Sequence, residues 1–192
     1  MKKVFAIVLA AMMVVAMFAG CASSSDSDPA VVKIGTTGPL TGDYAAYGTA
    51  VEAGMKIAVE EINAMGGLQF EFQAQDDEGD GEKAVAGYNT LKDWGMDIFG
   101  GSVTSGAAAA VAAEAVNDQM FMLTPSASAV EVANTGANVF QMCFTDPNQG
   151  ASAAELMAQK WPDAVIGMIY DSSDAYSAGI ADGFLAKAEN WA

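Results

Sequence analysis

Short apolar segments alternate with longer segments of helical periodicity along most of this chain. The segment 46–65, for example, carries Val51, Met55 and Val59 four residues apart, a spacing that puts them on one face of a helix. Strands that alternate with helices are joined by right-handed crossovers, so the sequence predicts an α/β fold with a parallel sheet and helices on both faces. The predicted strands are 31–34, 68–74, 97–100, 121–123, 139–144 and 164–170, and the predicted helices are 46–65, 81–94, 105–118, 147–161 and 174–189.

The eight basic residues are all lysines, so the chain has neither arginine nor histidine. This composition excludes Ser-His-Asp and Cys-His nucleophile systems, His-ligated zinc and guanidinium clamps for phosphate. The 24 acidic residues give a formal charge of −16, which argues against nucleic acid as a partner because phosphate binding needs clustered basic side chains. An enzyme would depend on carboxylates such as Asp76, Asp77 and Glu78. We predict no enzyme, no cofactor and no metal site, and we interpret 76–82 as a solvated turn in which Asp80 caps the next helix.

The N-terminus has the pattern of a secretory signal peptide. Lys2 and Lys3 precede an apolar run over 4–19, which is shorter than the ~20 residues of a membrane-spanning helix. The run ends in Gly20-Cys21, and 18–21 resembles a bacterial lipobox, in which the cysteine thiol is acylated, although Phe18 departs from the usual leucine. An ordinary signal peptide and an uncleaved anchor are the alternatives. We predict a lipoprotein signal peptide at 1–20, lipidation of Cys21 and a flexible tether over 21–30.

Two Ser- and Thr-rich segments follow neighbouring predicted strands, where ligands of parallel sheets bind. The segment 101–106 lacks the Lys-Ser/Thr of a phosphate loop, but it leaves a helix N-terminus with free N–H groups and the hydroxyls of Thr104 and Ser105. The segment 124–129 repeats this arrangement. In a chain without arginine such groups favour a small carboxylate, and the alternative is that Ser105 only caps its helix. Cys143, in an apolar run, is predicted to be a buried small hydrophobe.

Several short motifs occur along the chain in a specific order. They are VKIGTTGPLTG at 32–42, AYG at 46–48, AVEEIN at 58–63, TSG at 104–106, TPSAS at 124–128 and YD at 170–171. This order resembles the leucine/isoleucine/valine-type substrate-binding proteins of ABC importers over about 31–188. The resemblance implies a type I periplasmic binding protein fold whose two α/β lobes close over an amino acid or similar small carboxylate and deliver it to an ABC permease. A ligand-sensing receptor domain of the same fold, which regulates a partner protein, is the alternative.

The resemblance also implies domain bounds, a location and a set of ligand contacts. It makes 31–145 the N-terminal ligand-binding lobe and 146–192 the start of an incomplete, truncated C-terminal lobe, because members of the family are about twice as long. It implies an extracytoplasmic protein held at the bacterial cell membrane by its lipid anchor. Ser105 and Ser128 would bind the ligand's carboxylate through their hydroxyls. The positions that match the family's ligand contacts are Tyr47, Thr104, Ser105, Ser126, Ala127, Ser128 and Tyr176.

Overall fold

A five-stranded sheet forms the centre of the computed structural model, which describes residues 31–189. The strands are β1 (Val31–Gly38), β2 (Gln69–Asp76), β3 (Ile98–Ser102), β4 (Met122–Thr124) and β5 (Val139–Gln141). The helices are α1 (Ala45–Ala64), α2 (Gly81–Trp94), α3 (Ser105–Asn117), α4 (Val130–Asn134), α5 (Asp146–Lys160) and α6 (Ala175–Ala188). The strand order is β2-β1-β3-β4-β5 and every pairing is parallel, which confirms the predicted α/β fold.

Helices cover both faces of the sheet, and two glycines allow them to approach it. Gly35 of β1 is paired with Phe99 of β3, and Gly100 follows Phe99, so the two glycines face opposite sides. A Cβ on Gly35 would lie 3.0 Å from Leu91 of α2. A Cβ on Gly100 would lie 2.8 Å from Met55 of α1. The absence of side chains at both glycines therefore lets α1 and α2 pack closely on the two faces.

The hydrophobic core lies on the face covered by α2 and α3. Tyr88 and Leu91 of α2 are fully buried there, with Val111 of α3 and Phe99 of β3. The rings of Tyr88 and Phe99 meet edge to face at 5.1 Å. The opposite face is less well covered, because Gly48 is the one residue of α1 that is buried.

The predicted strand at 164–170 is wrong. Residues 162–170 form no strand within 31–189, and the side chains of Val165 and Ile169 are completely exposed. Their apolar, β-branched sequence favours a strand, but a strand also needs a neighbour that accepts its hydrogen bonds, and no strand of the described chain pairs with it. The fifth predicted strand is also shorter than expected, and the short helix α4 was not predicted.

The last two helices pack against each other through glycines. A Cβ on Gly150 of α5 would lie 2.1 Å from the carbonyl oxygen of Ile180, and one on Gly183 of α6 would lie 2.4 Å from that of Pro147. Only glycine permits this approach, because the obstructing atoms belong to backbone that cannot rotate away. The segment Asp146–Ala188 therefore contains a packed helix pair, and the domain boundary at 145/146 stays a prediction.

The signal peptide, the tether and Cys21 lie outside the described residues. No helix within 31–189 combines the length and the hydropathy that are needed to span a lipid bilayer.

Candidate functional site

The N-terminus of α3 lies at the carboxyl edge of the sheet and carries unused hydrogen-bond donors. Thr104 is its N-cap residue, but its hydroxyl makes no capping bond and has no hydrogen-bond partner within 31–189, although its oxygen is buried. The N–H groups of the first turn, 105–107, also have no acceptor in this part of the chain. These donors lie at the positive end of the helix dipole, so the turn favours a small anion.

The loop after β4 is fixed to the loop after β3 by side-chain hydroxyls. Thr124 donates to the carbonyl of Ser102 (2.7 Å) and accepts from the N–H of Ala127 (3.0 Å). Ser126 donates to the carbonyl of Val103 (2.7 Å). Gly101 has φ +75°, and a Cβ there would lie 2.5 Å from the Cα of Thr124, so glycine is required for the ends of β3 and β4 to approach each other.

Ser105 joins the two Ser-rich segments that the sequence analysis selected. Its Oγ accepts the N–H groups of Ser128 (3.2 Å) and Ala129 (3.3 Å). Ser105 and Ser128 are both almost fully buried, at 4% and 3% exposure, and Ala127, next to Ser128, is buried as well. The hydroxyl proton of Ser105 is not used by these two bonds, which leaves it available as a donor.

A carboxylate lies on the other side of Ser128. Asp146, the first residue of α5, is fully buried and donates its N–H to the Ser128 carbonyl (3.0 Å). Neither of its carboxylate oxygens makes a hydrogen bond of standard geometry within 31–189. Burial raises the pKa of Asp146, the Ser128 side chain opposes that rise, and the nearby charges of Glu131 and Asp174 add to it. A negative charge on Asp146 is thus poorly compensated in this fold.

Buried hydroxyls connect the site to the end of β1. The Thr36 hydroxyl donates to the Gly101 carbonyl (2.7 Å), and the hydroxyls of Thr37 and Ser102 are 2.6 Å apart. Asp77 is buried below them: burial raises its pKa, whereas hydrogen bonds from Gly79 N–H and Thr37 lower it. The sequence analysis missed this network, although two adjacent threonines at the end of a buried strand were a signal for it.

Asp76 connects the loop after β1 to the turn after β2. Its carboxylate accepts the N–H groups of Leu40 (2.8 Å), Thr41 (3.3 Å) and Glu78 (3.0 Å), and the hydroxyl of Thr41 (2.5 Å). Burial alone would raise its pKa, but these hydrogen bonds outweigh it and hold the pKa of Asp76 below its usual value. Asp80 caps α2 by accepting the N–H of Lys83 (2.9 Å), as predicted. The carboxylates of Asp76 and Asp80 therefore have structural partners.

The two predicted tyrosines lie on different helices. Tyr47, on α1, is 66% exposed, and Tyr176, on α6, accepts a hydrogen bond from Gln149 (3.3 Å). Neither makes a hydrogen bond to the Ser- and Thr-rich loops within the described residues. Their assignment to the walls of a ligand cleft stays a prediction.

Cys143 lies just after β5 and is half-buried. Its thiol faces the carbonyls of Ser126 (3.3 Å) and Ala127 (3.2 Å), and burial raises its pKa. The prediction that it is buried within the fifth strand is wrong, because that strand ends at Gln141. Cys143 instead supports the backbone of the site loop, and its raised pKa disfavours the reactive thiolate.

Comparison of the sequence with known protein families identifies the family of this chain. The model of a family described as periplasmic binding protein matches residues 31–190. The chain belongs to this family. This periplasmic binding protein is 35% identical over 159 residues to the Leu/Ile/Val-binding protein BraC3 of Rhizobium johnstonii, covering 81% of this chain and 43% of that protein. It is 33% identical to the leucine-, isoleucine-, valine-, threonine-, and alanine-binding protein of Pseudomonas aeruginosa, covering 90% of this chain and 46% of that one.

Solved structures show the same fold. The leucine binding protein LivK of Thermotoga maritima superposes with a TM-score of 0.77 at 27% identity, covering 83% of this chain and 46% of that one. The branched-chain amino acid transporter substrate binding protein LivJ of Streptococcus pneumoniae, in complex with isoleucine, gives 0.73 at 28% identity and covers 82% and 47%. The periplasmic binding protein described here thus has the type I fold, and it spans less than half the length of the curated relatives it matches.

Proposed function

We propose that this chain is part of an extracytoplasmic solute-binding lipoprotein of an ABC importer, and that it binds an amino acid or a similar small carboxylate. The proposed site lies at the carboxyl ends of β3 and β4, within the proposed N-terminal lobe 31–145. Proteins of this family bind solutes and are not enzymes. The proposed ligand contacts are Tyr47, Thr104, Ser105, Ser126, Ala127, Ser128 and Tyr176.

One observation carries this proposal: hydrogen-bond donors converge on the α3 N-terminus without any basic side chain in the cluster. The N–H groups of 105–107 have no acceptor within 31–189, the Thr104 hydroxyl has no partner there, and the Ser105 hydroxyl has a proton to donate. Two oxygens of a carboxylate accept several such bonds at once, and the helix dipole stabilises their charge. A neutral ligand can accept these bonds too, but it has no negative charge for the helix dipole to stabilise.

Binding is proposed to proceed by closure of a second lobe over the first. The ligand's carboxylate would bind to the α3 N-terminus, and Tyr47 and Tyr176 would approach its side chain from the two lobes. A ligand that contacts both lobes favours the closed form by its differential affinity for that form. The closed form would then deliver the ligand to an ABC permease. Two relatives are Leu/Ile/Val-binding and leucine-, isoleucine-, valine-, threonine-, and alanine-binding proteins, so leucine, isoleucine and valine are the first probes.

An NMR titration of the 15N-labelled chain with L-leucine, L-isoleucine, L-valine and the other amino acids tests the site. We expect the amide signals of Gly106 and Ala107 to shift and to saturate, since they donate to the carboxylate. Ser128→Ala is expected to weaken binding, whereas Ser152→Ala on the exposed surface of α5 is the matched control and leaves it unchanged. If neither an amino acid nor acetate nor benzoate moves these amides, the proposed site is refuted.

Lipid attachment through Cys21 is tested separately in bacterial cells. An alkyne-tagged fatty acid is expected to label the wild-type protein in the membrane fraction, because the thiol is the acylation site. Cys21→Ser is expected to abolish the label, and Cys143→Ser is the matched control that retains it. Equal labelling of the wild type and the Cys21 variant would contradict the lipoprotein assignment.

A further inference from the structure

Ser128 is held between α3 and α5 by its backbone. Its N–H donates to the Oγ of Ser105 (3.2 Å), and its carbonyl accepts the N–H of Asp146 (3.0 Å). Both bonds use backbone groups of Ser128, so its hydroxyl proton is not consumed by them. The acceptor that takes this proton therefore decides what the Ser128 side chain offers to a ligand.

The Asp146 carboxylate competes for this proton. The two side chains are close enough for the Ser128 hydroxyl to stabilise the ionised carboxylate, although their contact lacks the geometry of a standard hydrogen bond. An ionised carboxylate can only accept. While Asp146 is charged, the Ser128 hydroxyl donates to it and cannot donate the same proton to the carboxylate of a ligand.

The surroundings of Asp146 favour its neutral form. Its side chain is fully buried, and a Cβ on Gly179 of α6 would lie 2.8 Å from its Cβ and 3.1 Å from its Oδ2, so α6 covers the carboxylate. The titratable groups that face it are Glu131 of α4, Asp174 at the N-cap of α6 and Cys143. Each of these groups is neutral or negative, so none of them compensates a charge on Asp146.

Protonation of Asp146 reverses the direction of its contact with Ser128. A neutral carboxyl group has one O–H donor, which can bind to the Ser128 Oγ and leave the serine proton free for another acceptor. The carboxylate of a bound ligand is such an acceptor. Its negative charge also favours the neutral form of Asp146, because like charges raise the pKa of a nearby carboxyl group. The ligand and the proton therefore favour each other's binding.

We propose that Asp146 is a positioning residue of the ligand site, which acts through the Ser128 hydroxyl and takes up one proton when the carboxylate of a ligand binds. The proton comes from the solvent and remains on the Asp146 carboxyl group, and no covalent bond of the ligand changes. This inference rests on the proposed function, in which Ser128 contacts the ligand's carboxylate. It adds a residue that does not touch the ligand and makes the affinity depend on pH.

Isothermal titration calorimetry of the complete 192-residue chain with L-leucine between about pH 4.5 and 7 tests this inference. The ligand's carboxylate and ammonium group stay ionised over this range, so a change in affinity comes from the protein. We expect the affinity to fall as the pH rises through the pKa of Asp146, by at most about tenfold per pH unit, the limit for one coupled proton. The heat of binding should differ between phosphate and Tris buffers at pH 7, because the buffer supplies the proton that the protein takes up.

Asp146→Asn is the decisive variant. Its amide N–H can donate to the Ser128 Oγ as a protonated carboxyl group does, so we expect L-leucine binding that takes up no proton and no longer depends on pH. Ser128→Ala should also lose the pH dependence, because the hydroxyl that transmits it is gone. Asp163→Asn, at an exposed carboxylate after α5, is the matched control and should keep the pH dependence of the wild type.

The results that contradict this inference differ in what they leave standing. If L-leucine binds with one affinity across the range and without proton uptake, the role of Asp146 is refuted and the proposed function stands. Retained pH dependence in Asp146→Asn or in Ser128→Ala would also refute it, since the effect would then not pass through these two side chains. If L-leucine does not bind at any pH, the proposed function fails and this inference fails with it. The calorimetry of the wild type decides the matter even if Asp146→Asn does not fold.

Discussion

The same sequence pattern, apolar segments that alternate with helices, gives different structures in the two parts of the described chain, 31–141 and 142–189. In the first part each apolar segment pairs with a neighbouring strand, and Tyr88, Leu91 and Phe99 become fully buried. In the second part the equally apolar segment 164–170 remains exposed between two helices that pack on each other. The difference teaches that helices need only a face to pack on, whereas a strand needs a partner for its backbone as well.

The largest expected effect on stability comes from substituting one apolar side chain in each of the two parts. Phe99→Ala removes a fully buried ring from the sheet and is expected to lower the free energy of unfolding by about 3–5 kcal/mol. Ile169→Ala, at a completely exposed position in the second part, is the control and should change it by less than about 0.5 kcal/mol. Urea unfolding followed by circular dichroism measures both. Similar losses in the two variants would mean that 164–170 is packed in solution.

Substitution of a glycine in the helix pair is expected to destabilise only the second part. Gly150→Ala places a methyl group 2.1 Å from the Ile180 carbonyl oxygen, so α5 and α6 must separate, at a cost of about 1–3 kcal/mol. Hydrogen exchange is expected to accelerate in 146–188 and to remain slow in β1 and β3. Gly54→Ala, at a position where an added Cβ would meet no atom within 4 Å, is the matched control. Faster exchange throughout the sheet would show that the two parts unfold as one unit.

The Asp76 carboxylate tests how the first part responds to pH. Its pKa is lowered in the folded state, so its contribution to stability is present above the pKa of the unfolded chain and is lost as the pH falls through the lower folded value. Asp76→Asn is therefore expected to cost about 1 kcal/mol at pH 7 and progressively less in acid. Thermal unfolding of both proteins between pH 2 and 7 measures this. A constant difference across that range would contradict the assignment.

The Asp146 carboxylate is expected to give the smallest effect, with the opposite sign. Its pKa is raised, so the folded state binds the proton more tightly and stability falls as the pH rises from the unfolded toward the folded pKa. Glu131 and Asp174 are the charged groups that face it, and both disfavour its ionisation. Asp146→Asn should remove this pH dependence and alter stability at pH 7 by less than the Asp76 variant does. A pH profile identical to that of the wild type would refute this prediction.

Part of the candidate site was accessible to sequence reasoning. The segments 101–106 and 124–129 were selected because they follow neighbouring strands, and the structure brings Ser105 to the N–H of Ser128. The contacts of Thr37 with Ser102 and of Cys143 with the carbonyls of Ser126 and Ala127 were not predicted. Each of them joins segments that are distant in sequence, and no local pattern encodes such a contact.

The sequence by itself determined the alternation of strands and helices over 31–123, the parallel sheet and the absence of arginine and histidine from any site. These features follow from side-chain periodicity and composition, which are local properties. Only the tertiary structure decided that 164–170 is not a strand, that Asp146 is fully buried close to the like charges of Glu131 and Asp174, and that Thr37 lies within hydrogen-bond distance of Ser102. Those features depend on which distant groups supply hydrogen bonds or exclude water, and that is settled only when the chain has packed.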